Sequence, residues 1–152
     1  MSSGPLYIGL DLGTTNIKAV VVGEDGRIVS SGSAAAAIRY GSDGAAEQDI
    51  EEIWQATRAA LTQAVAAGAA AGAAPQRVRA IGVSSQGGAM QVLDAAGRPA
   101  CPVIGWQDSR ARKCNDEQTA ARGSAWFAQH TGYAGCASAM RMPGLKYISP
   151  IS

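Results

Sequence analysis

Residues 9–18 read GLDLGTTNIK, and this stretch decides how the front of the chain is expected to fold. Apolar runs flank its central turn, since residues 7–11 are YIGLD and residues 17–22 are IKAVVV. Runs of this length, rich in β-formers and separated by glycine and polar residues, are typical of two strands joined by a short turn. The sequence therefore predicts a β-hairpin with Asp11 at the end of its first strand.

The turn of this hairpin, Gly13-Thr14-Thr15-Asn16, carries residue types that suit phosphate binding. Glycine lets the backbone approach a ligand closely, and threonine hydroxyls beside backbone amides can form a concavity for an anion. Asp11 suits a divalent cation bound through water, as Mg²⁺ on phosphates prefers, and Lys18 can add positive charge. The spacing matches neither GxxxxGK[ST], where a helix should follow the loop, nor GxGxxG. For these residues alone, a plain hairpin turn with local Asp and Thr bonds remains an alternative.

A second hairpin is expected directly after the first. Residues 24–26, EDG, separate the run at 17–22 from a third apolar run at 27–32, and Asp-Gly between apolar runs is a strong hairpin signal. The opening is therefore predicted to be a three-stranded antiparallel meander. Residues 33–46 are polar and contain glycine breakers, so they are expected to be irregular.

One long helix is expected to begin after Asp49, which is a good N-cap with Glu52 three residues later. Its predicted apolar stripe consists of Ile50, Ile53, Trp54, Thr57, Leu61, Ala64, Val65 and Gly68. Two glycines and Pro75 are expected to end it. The nearly all-apolar residues 78–84 then predict a strand that is central and buried.

Shorter elements are predicted in the remainder of the chain. They are a turn at residues 85–88, a strand at 90–93, a turn at Ala96-Gly97, a strand at 103–106, a polar helix at 108–121 and a short helix at 124–130. Strands mixed with a single long helix predict an α/β fold with a mixed sheet.

Composition and charge exclude several functional classes. Hydrophobic residues make up 47% of the 152 residues, which is enough for a core, and the net charge of +1 gives no footprint for nucleic acid or an anionic membrane. No run approaches the roughly 18 to 20 apolar residues that a bilayer span needs, and the N-terminus lacks a signal-peptide pattern. The cytoplasm is therefore the expected compartment.

Two groups of side chains are given ordinary interpretations. The local basic cluster of Arg110, Arg112 and Lys113 lies between acidic residues, and we interpret it as a charged helix face. The cysteines are Cys101, Cys114 and Cys136; because no two form a CxxC pair, they predict buried or inert thiols rather than a zinc site or disulfides.

Several motifs in order resemble the FGGY family of carbohydrate kinases. The hairpin at residues 9–18 resembles the first phosphate loop of the superfamily of sugar kinases, actin and chaperone ATPases. Four further segments follow the family pattern: residues 46–54 resemble its "EQD…W" helix start, 81–88 its sugar-contacting strand and turn, 104–110 its "W-x-D-x-R" segment, and 130–132 its "TG". Together they cover about 140 residues in family order.

The resemblance implies a ribonuclease H-like domain of the actin and hexokinase type, which uses ATP and Mg²⁺ to phosphorylate a sugar, ketose or polyol hydroxyl. It implies nucleotide-phosphate contacts from Asp11, Gly13, Thr14, Thr15, Asn16 and Lys18, with Asp11 also toward the metal. It implies substrate contacts from Gln86, Gly87, Gly88, Trp106, Gln107 and Asp108. Two alternatives remain. Trp106 can be a core residue, and Asp108 can hold Arg110 or cap the next helix instead of contacting a sugar. A homodimer of the full-length form is compatible with it.

Two departures from the family pattern leave questions open. Gly87-Gly88 stands where glycerol kinases carry Arg-Glu and xylulokinases carry Met-His, so gluconate, a pentulose and a less common polyol all remain candidates. Residues 1–152 are expected to be part of the N-terminal, sugar-binding domain only, because the family's catalytic Asp and its C-terminal ATP-binding domain lie further along a longer chain. The chain alone is expected to be inactive. The alternatives are an inactive structural fragment and a non-kinase, actin-like nucleotide-binding protein, although the latter has no reason to carry the sugar-side motifs.

Overall fold

Two structural units are formed by residues 4–135, the part of the chain that a computed structural model describes. The first unit holds the chain through Ile38 together with Asp49–Gln86, and the second holds Arg39–Gln48 and the residues from Gly87 onward. In chain order the elements are β1 (Leu6–Leu12), β2 (Asn16–Gly23), β3 (Ile28–Ala35), β4 (Arg39–Tyr40), β5 (Ala46–Gln48), α1 (Ile50–Ala70), a 3₁₀ turn (Pro75–Arg77), β6 (Val78–Ser85), β7 (Val103–Ile104), α2 (Arg112–Arg122) and α3 (Ser124–Thr131).

The predicted antiparallel meander is confirmed in the first unit. β1 pairs with β2 so that Leu12 lies opposite Ile17, and β2 pairs with β3. The second turn closes where the Gly23 amide donates to the Arg27 carbonyl oxygen at 2.9 Å, and Gly26 there has a φ of 79° that suits glycine. Local turn chemistry therefore sets the register of both hairpins.

β6 joins this sheet beside β1 and runs parallel to it, which gives the order β3-β2-β1-β6. The prediction of an α/β fold with a mixed sheet is confirmed. The prediction that residues 78–84 are central and buried is wrong, because β6 forms the edge of the sheet within residues 4–135, and Ile81 and Val83 are 55% and 62% exposed. Ile81 lies opposite Ile8 and Val83 lies opposite Leu10, so both side chains lie on the same face of the sheet as the buried residues of β1. Helix α1 packs on β2 and β3 and does not cover β6.

Helix α1 starts as predicted. The Asp49 side chain accepts hydrogen bonds from the Glu51 and Glu52 amides at 2.7 and 3.3 Å, which satisfies donors that have no partner inside the helix. The predicted apolar stripe is only partly correct, because Ile50 and Trp54 are exposed. Three members of the predicted stripe, Thr57, Ala64 and Gly68, are buried. Three more, Ile53, Leu61 and Val65, are partly buried against the core, and the small residues Ala56 and Ala60 complete the buried side.

Small residues line this side because the helix lies very close to β3. A Cβ added at Gly32 would collide with the Ala60 carbonyl oxygen, and the Ser30 hydroxyl donates to the Ala64 carbonyl oxygen at 2.7 Å. A larger side chain at the interface would push the helix away from the sheet. The predicted stripe is therefore confirmed except at Ile50 and Trp54, near the start of the helix.

The second unit contains little regular structure. Its antiparallel sheet has the order β4-β5-β7. The expectation that residues 33–46 are irregular is therefore wrong at residues 39–40 and 46, and also at residues 33–35, which belong to β3 of the first unit. The predicted strand at 90–93 is reduced to isolated bridges from Met90 to Ile104 and from Leu93 to Pro99. The turn at Ala96-Gly97 is confirmed by a hydrogen bond from the Gly97 amide to the Asp94 carbonyl oxygen at 2.9 Å.

The helices of the second unit differ from expectation in one respect. α3 lies where residues 124–130 predicted it, but α2 begins at Arg112 instead of Asp108. Residues 108–110 remain outside the helix because the Asp108 side chain bonds to Arg110, as described below.

Two further expectations from the sequence concern membrane-spanning helices and the cysteines. Within residues 4–135, no helix combines the length and the apolar character needed to cross a membrane. Cys101 and Cys114 are free thiols of intermediate exposure, so neither is buried, and Cys136 lies outside the described residues.

Candidate functional site

The β1–β2 turn presents Asp11 and Lys18 as directly opposite residues of neighbouring strands. Leu10 is buried in the core layer of β1, and Asp11 alternates away from it and is exposed. Lys18 is exposed as well, and no ion pair within residues 4–135 involves either side chain. A carboxylate and an ammonium group are thus both available beside one turn.

Gly13 is required by the shape of this turn. A Cβ there would lie 2.6 Å from the Asn16 carbonyl oxygen, and the Asp11 carboxylate oxygen Oδ2 is 3.7 Å from the same position. Glycine is required here by this close approach and not by the backbone conformation, because Gly13 is not among the glycines with a positive φ. The close approach leaves Thr15 and Asn16 exposed at the tip of the turn.

A hydrogen bond joins this turn to the end of β6. The Thr14 hydroxyl donates to the Gln86 side-chain oxygen Oε1 at 3.0 Å, and the Gln86 amide donates to the Leu12 carbonyl oxygen at 3.1 Å. The parallel pairing of β1 with β6 therefore continues one residue beyond Ser85. The first unit thus brings together Thr14, a predicted phosphate residue, and Gln86, a predicted substrate residue.

The two glycines after Gln86 belong to the second unit and have different backbone requirements. Gly88 has a φ of 78°, a conformation that other residues adopt at a cost, whereas Gly87 has no positive φ. The geometry alone therefore explains a glycine at position 88 and leaves the absence of a side chain at position 87 unexplained.

The remaining predicted substrate residues follow β7. Trp106 is 40% exposed, so the alternative of a core position is wrong. Gln107 is exposed, and its side-chain oxygen accepts a hydrogen bond from the Tyr40 hydroxyl at 2.8 Å. The segment is held in place by the Gly105 amide, which donates to the Ala46 carbonyl oxygen at 2.8 Å.

Asp108 is engaged by protein groups on several sides. Its carboxylate accepts from Arg110 Nε at 2.9 Å and Nη2 at 2.6 Å, and from the Ala46 amide at 3.1 Å. Arg110 also pairs with Glu47 through a 2.6 Å contact from Nη2 to Oε1. The side chains of Asp108 and Arg110 are only 8% and 11% exposed, so this network joins the "EQD" and "W-x-D-x-R" segments in a partly buried position.

The network shifts both partners toward their charged forms. Burial by itself would raise the pKa of Asp108, but hydrogen bonds from Arg110 and from the Ala46 amide outweigh it and lower the pKa. The Asp108 carboxylate correspondingly raises the pKa of Arg110, against the opposing effect of burial. The geometry favours the role of Asp108 in holding Arg110, which was the alternative to a sugar contact.

A pocket of about 340 Å³ opens beside this network. It is lined by Trp106, Gln107, Asp108, Ser109, Arg112, Asn115 and Asp116. The last three come from α2, and they were not predicted because the charges near Arg112 have the pattern of an ordinary helix face. The i, i+4 spacing of Ala111, Asn115 and Thr119 could have indicated a polar residue on the buried side of α2.

No group of three or more His, Cys, Asp or Glu side chains within residues 4–135 could hold a metal ion as a cage. Asp11 is a single exposed carboxylate at the turn, beside Gly13. One carboxylate with water and phosphate oxygens is a common environment for Mg²⁺ in phosphate chemistry. The donor set therefore fits a metal that arrives with the nucleotide.

Comparison with known proteins supports a kinase relationship. Residues 6–147 match the model of the FGGY family of carbohydrate kinases, N-terminal domain. The chain is 33% identical over 112 residues to an apulose kinase of Pectobacterium atrosepticum, covering 72% of this chain and 21% of that protein. It is 35% identical over 136 residues to a xylulose kinase of Streptomyces coelicolor, covering 86% and 26%. The chain therefore spans about a quarter of the length of these relatives.

The solved structures agree. A xyloylose kinase from Brucella ovis superimposes with a TM-score of 0.74 at 27% identity, over 95% of this chain and 29% of that one. This match confirms the predicted α/β fold of the actin and hexokinase type. With the family model covering nearly all of its residues, the chain belongs to the FGGY family of carbohydrate kinases.

Proposed function

We propose that the protein containing this chain transfers the γ-phosphate of ATP to a hydroxyl of a sugar, ketose or polyol. The observation that carries the proposal is the 3.0 Å hydrogen bond from Thr14 to Gln86. It couples the turn that suits phosphate to the turn that suits substrate, in a chain of the carbohydrate kinase family. A kinase needs this coupling because its rate depends on holding donor and acceptor in line.

On the nucleotide side, we assign the phosphates to the turn formed by Gly13, Thr14, Thr15 and Asn16, with Lys18 contributing positive charge. Asp11 would hold Mg²⁺ through water, and the metal would neutralise charge on the phosphate oxygens. The exposed, unpaired state of Asp11 and Lys18 supports these roles, because neither side chain has to leave an ion pair within residues 4–135 to bind a ligand.

On the sugar side, we assign direct contacts to Gln86 in the first unit and, separately, to Gly87, Trp106 and Gln107 in the second. The adjacent residues Trp106 and Gln107 suit a polyol, since an aromatic ring packs against C–H groups and an amide bonds to hydroxyls. We assign Asp108 and Gly88 positioning roles, because the first holds Arg110 and the second has a positive φ. None of these residues is assigned the general base, a role that the resemblance gives to an Asp further along the family sequence.

A graft tests this proposal. Residues 6–147 would replace the matching segment of the Streptomyces coelicolor xylulose kinase, and ADP release would be measured with a panel of pentuloses, polyols and aldonates. We expect sugar-dependent ADP release from the grafted kinase. As controls, the host's own segment and the matching segment of the Pectobacterium apulose kinase would be inserted at the same junctions. Active controls beside a folded but inactive graft of this chain would contradict the proposal.

Three further expectations from the sequence and the resemblance stay predictions. They are a cytoplasmic location, a homodimer of the full-length form, and the interpretation of residues 1–152 as part of a sugar-binding domain whose ATP-binding partner domain lies elsewhere. The need for ATP and Mg²⁺ would be checked by omitting each from the assay of the grafted kinase.

A further inference from the structure

Asn115 occupies an unusual position on α2. It is 8% exposed, and it lies one helical turn after the buried Ala111. Its backbone amide donates to the Ala111 carbonyl oxygen at 2.9 Å, and its carbonyl oxygen accepts from the Thr119 hydroxyl at 2.8 Å. Its side-chain carboxamide, in contrast, has no hydrogen-bond partner within residues 4–135.

An amide on the buried side of a helix loses part of its hydration, and this loss costs stability where no protein group replaces the bonds to water. An apolar residue would serve better on the buried side of a helix if packing were the only requirement. The presence of an asparagine at position 115 therefore needs another explanation, and the pocket that Asn115 lines offers one.

That space is the pocket beside Trp106. Gln91 Oε1 is the only side-chain oxygen or nitrogen within residues 4–135 that is fully enclosed and unpaired. The Asn115 carboxamide is also unpaired but is not fully enclosed, so part of it remains accessible. Asn115 lines the pocket of about 340 Å³. The unpaired donor and acceptor are thus directed to a cavity that opens beside an exposed aromatic ring.

The charge around the pocket favours an uncharged ligand. Its lining includes two carboxylates, Asp108 and Asp116, and one guanidinium, Arg112. The Arg110–Glu47 pair that contacts Asp108 is neutral as a pair, so the local net charge is −1. A negatively charged sugar acid would be repelled, whereas hydroxyl groups can donate to Asp116 and exchange bonds with an amide.

We propose that Asn115 is a specificity-determining residue whose carboxamide binds a hydroxyl of an uncharged polyol or ketose in the Trp106 pocket. This inference rests on the proposed function and narrows its substrate class. A carboxamide offers a donor and an acceptor side by side, which matches a hydroxyl that both donates and accepts. A site built to bond a hydroxyl rejects compounds without it strongly, because its own buried polar group is then left unpaired.

Binding to the 152-residue chain tests the inference. Xylitol and D-gluconate would be titrated into the wild type, Asn115→Leu, Asn115→Asp and the control Lys113→Ala, with amide chemical shifts followed by NMR. Lys113 is an exposed residue of α2 that does not line the pocket. We expect xylitol to bind the wild type and Lys113→Ala equally, and to bind Asn115→Leu about tenfold more weakly or worse. Asn115→Asp, which keeps an acceptor but loses the donor, should be intermediate, and D-gluconate should bind the wild type more weakly than xylitol.

Thermal melts without ligand separate a ligand-binding role from a structural one. Asn115→Leu should melt at the wild-type temperature or above it, because leucine removes an unpaired amide. Unchanged xylitol affinity in Asn115→Leu, an equal or greater affinity of the wild type for D-gluconate, or no xylitol binding to the wild type would each overturn the inference. So would a lowered melting temperature, since it would show that the carboxamide stabilises the fold.

The grafted kinase distinguishes this failure from that of the proposed function. If the graft phosphorylates a polyol and Asn115→Leu leaves the KM for every sugar unchanged, the inference fails and the kinase proposal stands. If the graft is inactive while its controls turn over, the kinase proposal fails on its own terms.

Discussion

The two units position their candidate site residues by different means. In the first unit, the residues around Asp11 are placed by backbone pairing on both sides of β1, and the turn closes over a glycine. In the second, Trp106 and Gln107 follow a strand of two residues, and a network of charged side chains, Glu47, Arg110 and Asp108, replaces regular structure.

This difference predicts different sensitivities to mutation. A site placed by backbone pairing tolerates a change of charge without losing its shape, but it tolerates added volume poorly. A site placed by a partly buried ion network responds in the opposite way, because removing one charge leaves the others desolvated and unpaired. Four substitutions, taken from the largest expected effect to the smallest, test this contrast.

Asp11→Asn should lower the kcat of the grafted kinase by about 10² to 10³, by analogy with the loss of one electrostatic contact to a transition state. The sugar KM and the melting temperature should change little, because the proposed role is toward metal and phosphate and the side chain is exposed. Steady-state kinetics would be compared with those of Glu24→Gln, an exposed carboxylate in the β2–β3 turn at the opposite end of the same sheet. A kcat equal to that of this control would return Asp11 to the role of a turn residue.

Arg110→Leu should destabilise the chain by about 2 to 4 kcal/mol, because it strands two carboxylates that the guanidinium now neutralises. The free energy of unfolding would be measured in urea for this variant and for Arg112→Leu. Arg112 has no ion pair within residues 4–135 and is exposed, so its loss should be nearly neutral. Equal destabilisation by the two variants would show that the network is not what holds this segment.

Gly13→Ala should cost about 1 to 3 kcal/mol, because the new Cβ would lie 2.6 Å from the Asn16 carbonyl oxygen and the turn must open to accept it. Gly82→Ala is the matched control in the same sheet, since a Cβ there meets no atom within 4 Å. Urea unfolding of both variants decides the matter. A Gly13→Ala variant as stable as Gly82→Ala would mean that the turn adapts without cost.

The pH dependence of stability should reveal Asp108. Its pKa in the folded chain lies below the ordinary value of 3.8, so its contribution is fully present above that value and is lost as the pH falls through the folded pKa. Between about pH 5 and about pH 3, the free energy of unfolding should fall more steeply for the wild type than for Asp108→Asn. Asp116→Asn, which removes an exposed carboxylate with no partner within residues 4–135, should keep the wild-type slope. Parallel slopes for all three proteins would contradict the stabilising role of the Asp108 carboxylate.

What could be predicted from the sequence depended on local signals. The two hairpins rest on glycine and Asp-Gly turns, and the start of α1 rests on the Asp49 cap, so a few neighbouring residues determine each of them. The Thr14–Gln86 bond was not predicted, but both residues were named, because the motifs around them are characteristic of the family.

The errors arose where a distant partner decides the outcome. Residues 78–84 have the apolar pattern of a buried strand, yet their exposure depends on which elements cover the sheet, and α1 does not extend over them. The helix predicted from residue 108 starts at Arg112 because Asp108 bonds to Arg110 and to Ala46, 62 residues away in sequence. The α2 residues of the pocket were missed for the same reason, since a charged helix pattern does not reveal which side meets a cavity.

The close contact between α1 and β3 has a thermodynamic consequence. Six of the eleven buried residues in the core of the first unit are alanine. This core therefore removes less apolar surface from water per residue than a core built from leucine and isoleucine. The heat capacity change of unfolding grows with the apolar area exposed, by about 0.45 cal/K/mol for each Å². Calorimetry of this unit should therefore give a small heat capacity change, and its stability should vary only gently between cold and warm temperatures.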